Sequence, residues 1–161
     1  TEEHCTDSQA LVALMQGALS VRKVGETDMN MTSSRSHVIL VVRIKSVNLE
    51  TRETMQGKIL LCDLAGSERL KKSGVSGEQK QEAIEVNKSL TALNRVIRSL
   101  ANGDRHVPYK DHQLTQVLQD SIGGNAKTVM FVNCSPERSS LPETIQSLKY
   151  ASWTADIRNT R

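Results

Sequence analysis

Asp63 and Gly66 stand three residues apart and carry the groups needed to sense a phosphate: a carboxylate that can hold a hydrated cation, and a backbone N–H with no side chain in front of it. Asp63 closes Ile59-Leu60-Leu61-Cys62, four consecutive apolar residues after Lys58, a run that suits a strand covered on both faces of an α/β sheet. The acid therefore falls at the carboxyl end of a strand. Open α/β sheets bind ligands at that edge, where an acidic side chain can help hold the Mg²⁺ of a bound nucleotide. The D-x-x-G spacing reads as a γ-phosphate sensor, with a plain turn-forming Asp as the other reading. A second stretch, Asn30-Met31-Thr32-Ser33-Ser34-Arg35-Ser36-His37, is a dense polar run that ends where the apolar Val38–Ile44 begins. Its hydroxyl, amide and guanidinium groups can surround a triphosphate, with hydroxyls ligating metal-bound water and Arg35 available for charge pairing. A solvated loop is the alternative there.

Several elements must position these residues. Thr6-x-x-Gln9 has the form of a capping box, and Leu11, Leu14, Met15, Ala18 and Leu19 follow at helical spacing until Gly25, delivering the chain to the Asn30 loop. The spacing predicts strands over Val38–Val47 and Met55–Cys62, and the short polar link between them favours an antiparallel hairpin. Such a hairpin couples the Ser33–His37 loop to Asp63. Arg69–Gly77 carries Lys71, Lys72, Gly74 and Gly77 with almost no apolar residue and reads as a mobile basic loop.

A long amphipathic helix follows, its stripe marked by Val86, Leu90, Leu93, Ile97 and Leu100, with Lys88 and Arg95 on the opposite side. Asn102-Gly103-Asp104 reads as a turn, His106–Lys110 as an extended link, and Leu114, Val117, Leu118 and Ile122 as a helix ended by Gly123-Gly124. Thr128–Cys134 reads as another buried strand, and Ser140-x-x-Glu143 as a capping box for a last helix with Pro142 in its first turn. Gly124-Asn125-Ala126-Lys127-Thr128 contains G-x-x-K-T, half of a Walker A pattern. The full spacing is not met, so it is not read as a phosphate loop.

At 161 residues the chain fits one domain with a sizeable core, and 21 basic against 18 acidic residues gives too slight a balance to imply nucleic acid. Four aromatics, Phe131, Tyr109, Tyr150 and Trp153, are too few for base-stacking platforms. Nine basic and five acidic residues between 69 and 112 make that segment +4, more than the +3 of the whole chain, so the remainder is slightly negative. Cys5, Cys62 and Cys134 show no C-x-x-C spacing, and Cys62 and Cys134 are expected as reduced thiols buried in core strands of an intracellular protein. The four histidines lack metal-ligand spacing. Neither a signal peptide nor an apolar run of membrane-spanning length occurs in the sequence.

Taken together, N-x-x-S-S-R-S-H and, about thirty residues later, D-L-A-G-S-E resemble switch I and switch II of the kinesin motor domain. Val86-Asn87-Lys88-Ser89-Leu90-Thr91-Ala92-Leu93, Val107-Pro108-Tyr109-Lys110, Leu118-Gln119-Asp120-Ser121-Ile122-Gly123-Gly124-Asn125 and Cys134-Ser135-Pro136 resemble later kinesin motifs in the same order. The resemblance implies an α/β, three-layer P-loop NTPase-type fold, with a central mixed β-sheet flanked by helices. Residues 1–161 would form the C-terminal portion of a single motor domain, lacking the N-terminal half with its Walker A loop.

The resemblance implies ATP and Mg²⁺ as ligands. Asn30 would approach the phosphates, Ser33 and Ser34 the γ-phosphate and Mg²⁺, Asp63 a magnesium water, and Gly66 the γ-phosphate through its N–H. Arg35 and Glu68 would form a latch ordering the attacking water, and Asn87, at the start of the long helix, would transmit switch closure. The implied partner is the microtubule, met by Lys71, Lys72, Lys88, Arg95, Arg105, His106 and Lys110; without the family these charges read as a solvated face. Gln113 and Gln116 stand where many kinesins carry further basic residues, which weakens the attraction there.

The family further implies a cytoplasmic protein of the microtubule cytoskeleton, spindle included, with no membrane or nucleic-acid partner, and it allows a dimer through a coiled coil outside this chain. The ending Leu148-Lys149-Tyr150-Ala151-Ser152 is similar to the kinesin-14 group. The competing function is a nucleotide-independent microtubule-binding module derived from a motor. Alone, the chain is expected to be inactive as an ATPase.

Overall fold

Residues 2–24, 36–66 and 78–159 are described by a computed structural model of the chain. Helix α1 spans Ser8–Val24, strands β1 and β2 span Val38–Val47 and Thr54–Asp63, and α2 spans Glu78–Asn102. A 3-10 turn at Tyr109–Asp111 leads into the short α3, Gln113–Val117, and a second at Arg138–Ser140 leads into α4, Leu141–Ala155. Among the described residues the sheet is the two-stranded β1-β2 pair. The chain divides into two compact units, one made of Thr1–Val41 with Leu61–Gly66 and the other of Val42–Leu60 with Ser67–Arg161.

In the first unit, α1 begins one residue later than its capping pattern suggests. Asp7, not Thr6, caps it: Asp7 Oδ1 accepts from the Ala10 N–H at 2.8 Å, and the Thr6 hydroxyl donates to Asp7 Oδ2 at 3.3 Å. A carboxylate at this position satisfies an otherwise unpaired helix N–H. That bond, mainly, holds the Asp7 carboxyl below its usual range.

The hairpin forms where the alternation of residue types places it. Asn48 turns the chain: its side-chain Oδ1 accepts from the Glu50 and Thr51 N–H groups at 2.9 and 3.1 Å. Its backbone N–H donates to the Glu53 carbonyl at 2.9 Å, a register that carries Val38 opposite Asp63. The strands are not buried as the apolar run implied. Ile59 is 49% exposed, and Leu61 and Cys62 are exposed as well, because a two-stranded ribbon offers no covering layer of its own. Thr128–Cys134 is likewise no strand: nothing among the described residues supplies its ladder, and Val129 and Phe131 are 78% and 85% exposed. Cys134 and Cys5 are exposed too, correcting the expectation of buried thiols.

The second unit is built on α2. Leu93, Val96 and Ile97 are at most 1% exposed, and with Ala92 they meet Leu114, Leu118 and Ile122 in the core. Helix α2 packs on α3, on α4 and on the 3-10 turn at Tyr109–Asp111. It starts at Glu78, eight residues before the Val86 at which its apolar stripe begins, because Gln, Lys, Glu and Ala sustain a helix without needing a core. It ends as its sequence predicts: Gly103 at φ 71° donates its N–H to the Leu100 carbonyl, and the Asp104 N–H reaches the Ser99 carbonyl, the bond pair of a Schellman cap.

Two predicted helix features differ. Helix α3 stops at Val117 instead of running to Ile122; Leu118 keeps a helical φ, but the chain then tightens, the Ser121 and Ile122 N–H groups both converging on the Leu118 carbonyl. The apolar positions Leu118 and Ile122 are nevertheless buried. At α4, Ser140 occupies the cap without a side-chain bond, while Pro142 sits in the first turn as expected.

Gly123 anchors the following turn at φ 86°, and a Cβ built there would lie 2.6 Å from Leu100 Cδ2. Gly123→Ala should therefore cost about 1–2 kcal/mol for the left-handed backbone and a further 1–3 for overpacking. Gly103→Ala, where the added Cβ meets open space, should pay only the backbone part. Urea unfolding of the two variants of the complete protein checks the difference.

Candidate functional site

The site begins where β2 ends. Asp63 is the last residue of β2 and is exposed, Leu64 and Gly66 are half-buried, and Ala65 between them is 5% exposed. The ladder has stopped by Ala65, so its amide needs an acceptor from elsewhere. His37 supplies it: its Nδ1 lies 3.1 Å from the Ala65 nitrogen. Sequence reasoning singled out the run ending at His37 but gave the imidazole no role, since nothing local points a side chain across a hairpin end. Beside Asp63, the Cys62 thiol is held above its usual value by desolvation and, second, by the Asp63 carboxylate. At neutral pH it stays protonated.

Asn30, Ser33, Ser34, Arg35, Glu68, Lys71, Lys72 and the predicted basic loop 69–77 lie outside the described residues. Of the nucleotide set, Asp63 and Gly66 are therefore the pair brought to one place. Asn87 lies well inside α2, half-buried, not at the start of the helix.

The predicted basic face is partly assembled. Lys88, Arg95, Arg105, His106 and Lys110 are all exposed. Arg95 Nη1 stands 3.8 Å from Asp111 Oδ2, which brings the middle of α2 beside the 3-10 turn that carries Lys110. Lys88 Nζ pairs with Glu85 Oε1 at 2.6 Å on the same helix face. Exposed pairs of this kind contribute about 0–1 kcal/mol, so either cation can exchange its partner for an acidic surface at little cost.

The link carrying these residues is held by polar groups the sequence pattern did not flag. His112 Nδ1 caps α3 by accepting from the Leu114 N–H at 3.1 Å. The fully buried Thr115 shares its hydroxyl between the Tyr109 and His112 carbonyls, each 2.7 Å away. Gln116, read as a lost basic position, instead donates through Nε2 to the Lys110 carbonyl at 3.2 Å. The Tyr109 hydroxyl donates to the Ile122 carbonyl at 2.5 Å, and desolvation raises its pKa.

Gly124-Asn125-Ala126-Lys127-Thr128 is a turn stitched by Asn159. Asn159 Oδ1 accepts from the Gly123 N–H at 2.8 Å, and Nδ2 donates to the carbonyls of Ser121 and Ala126 at 3.0 and 2.6 Å. The Thr128 hydroxyl donates to the Ser121 carbonyl. With the carbonyls so occupied, the turn serves as a joint between the α3 region and the chain after α4. Lys58 Nζ adds an exposed ion pair to Asp120 at 2.5 Å. No helix among the described residues is long and apolar enough to cross a membrane.

The kinesin motor domain family model matches residues 1–157. Kinesin-like protein KIN-14E of Arabidopsis thaliana is 54% identical over 138 residues, covering 86% of this chain and 11% of that protein. A solved fast kinesin, whose structure is described for its implications for ATPase mechanism and interactions with microtubules, superposes with a TM-score of 0.85 at 41% identity, over 99% of this chain and 46% of that one. The motor domain of a Kar3-like kinesin from Ashbya gossypii gives 0.73 at 37% identity, over 96% of this chain and 47% of that one. The chain thus spans about a tenth of the plant relative and just under half of each solved chain.

Asn159→Ala should strip the Gly123 N–H and the Ala126 carbonyl of their partner at once and leave the Ser121 carbonyl to the Thr128 hydroxyl, a loss of about 1–3 kcal/mol for each group left dry. A lowered urea midpoint with faster amide exchange at Gly123 is the expected result.

Proposed function

The chain belongs to the kinesin motor domain family, and from that membership we propose that residues 1–161 are the C-terminal portion of one motor domain that couples ATP hydrolysis to binding and movement along microtubules. The observation that carries the reading is D-x-x-G at the carboxyl end of β2, in a chain whose α2 turns Lys88 and Arg95 outward. The likeness of α/β architecture to a solved kinesin supports it.

Asp63 is a single exposed carboxylate, and among the described residues no three His, Cys, Asp or Glu side chains converge. That suits Mg²⁺, which keeps several waters and takes one or two carboxylates together with substrate phosphates. Bound with ATP, the ion supplies neutralisation of phosphate charge. Asp63 and the Ser34 hydroxyl would hold the ion through its waters. Asn30 and Ser33 would hold the triphosphate, and the Gly66 N–H would donate to the γ-phosphate. Arg35 and Glu68 would pair to position the attacking water, and Asn87 would pass that closure along α2. Positioning and charge stabilisation are the chain's whole contribution, since phosphoryl transfer asks for little covalent help.

Lys71, Lys72, Lys88, Arg95, Arg105, His106 and Lys110 meet the acidic outer surface of the microtubule, on the cytoplasmic cytoskeleton. The N-terminal half of the motor domain supplies the Walker A cradle and covers the apolar side chains left open on β2 at Ile59 and Leu61 and in the irregular segment at Val129 and Phe131. A nucleotide-independent microtubule-binding module is the other class of function, and turnover by the complete motor discriminates the two.

In that complete motor, Glu68→Ala should leave microtubule binding intact and reduce stimulated ATP turnover by about 100-fold or more. Unchanged turnover removes Glu68 from the mechanism. Lys88→Ala should weaken microtubule affinity by up to about fivefold, more visibly at low salt; co-sedimentation at two salt concentrations measures it. The isolated 161 residues should show no micromolar ATP affinity by calorimetric titration.

A further inference from the structure

We propose that His37 is a positioning residue for the nucleotide site, fixing through its imidazole the backbone on which Asp63 and Gly66 are mounted; the inference rests on the ATPase reading of the complete motor. His37 immediately precedes β1, and Ala65 lies two residues beyond the end of β2. The 3.1 Å bond from the Ala65 N–H to Nδ1 therefore ties the open end of the hairpin, past the last ladder pair. Ala65 is 5% exposed, so water does not stand in easily if the acceptor is lost. To accept there, Nδ1 must present its lone pair, and the ring proton sits on Nε2.

The placement matters for what flanks Ala65. Asp63 stands two residues before the anchored amide and Gly66 one residue after it. The His37 bond fixes the Leu64–Ala65 peptide plane, and Ala65, whose Cβ restricts its φ and ψ, carries that direction to the next plane, which holds the Gly66 N–H. In phosphoryl transfer a donor displaced by about 1 Å can cost about 100-fold in rate. His37 touches no reacting atom; it acts through Ala65.

Two amide side chains separate this role from general support of the fold. In His37→Asn, Oδ1 falls near the position of Nδ1 and can accept from Ala65; in His37→Gln, Oε1 falls near Nε2 and cannot. Expressed in the complete motor, His37→Gln should lower kcat for microtubule-stimulated ATP turnover by about 10- to 100-fold while the microtubule concentration for half-activation stays within about twofold. His37→Asn should recover most of kcat. Amide exchange at Ala65 should accelerate in the Gln variant and stay near wild type in the Asn variant. Equal kcat in the two variants, or unchanged Ala65 exchange in His37→Gln, overturns the proposal. If the wild-type motor turns over ATP and both variants match it, only the role of His37 falls; if the wild-type motor shows no turnover, the ATPase reading falls and takes this inference with it.

Discussion

One side of α2 is driven from water, and most of the second unit follows from that. Leu93, Val96 and Ile97 are shut off almost completely, each stabilising the packing by about 1.5–3 kcal/mol. Because a helix repeats every 3.6 residues, committing that stripe to the core leaves Lys88 and Arg95 no place but the opposite face. The cationic side is thus the geometrical reverse of the core. Anything that bound it would act on a rigid rod, whose inner face is keyed to α3, α4 and the turn at Tyr109–Asp111.

The unit containing the D-x-x-G stretch is held differently. Among the described residues of that unit the best-buried is a small one, Ala65, and directional bonds take over where apolar area is scarce. The Asp7 cap on α1 and the His37 bond at the hairpin end are both single side chains satisfying single amides. Such bonds add little net energy each but fix direction well.

Much of this was legible in the sequence, and the misses have a common cause. The Val38–Val47 strand, the apolar stripe of α2 and the glycine stop at Gly103 depend on patterns within a few residues, and all appear where the pattern puts them. Burial of Ile59–Cys62 and of Thr128–Cys134 depends on neighbours, and a run of apolar residues cannot name its own. The early end of α3 has the same origin: the Tyr109 hydroxyl claims the Ile122 carbonyl and Asn159 claims the Gly123 amide, partners 13 and 36 residues away. His112, His37 and Asn159 were missed because a lone polar side chain leaves no periodic trace. Of the candidate site, Asp63 and Gly66 were placed by spacing and found together, whereas Arg35 and Glu68 lie outside the described residues.

Helix α4 meets α2 through an uncommon contact. The Arg98 guanidinium of α2 lies over the ring of Trp153 on α4, 5.1 Å from its centroid, and Trp153 is the single tryptophan of the chain. A half-buried indole under a cation is sensitive to the local field, so the chain carries its own fluorophore at that joint. Its emission wavelength and quenching report, without any label, whether the two helices remain seated on one another.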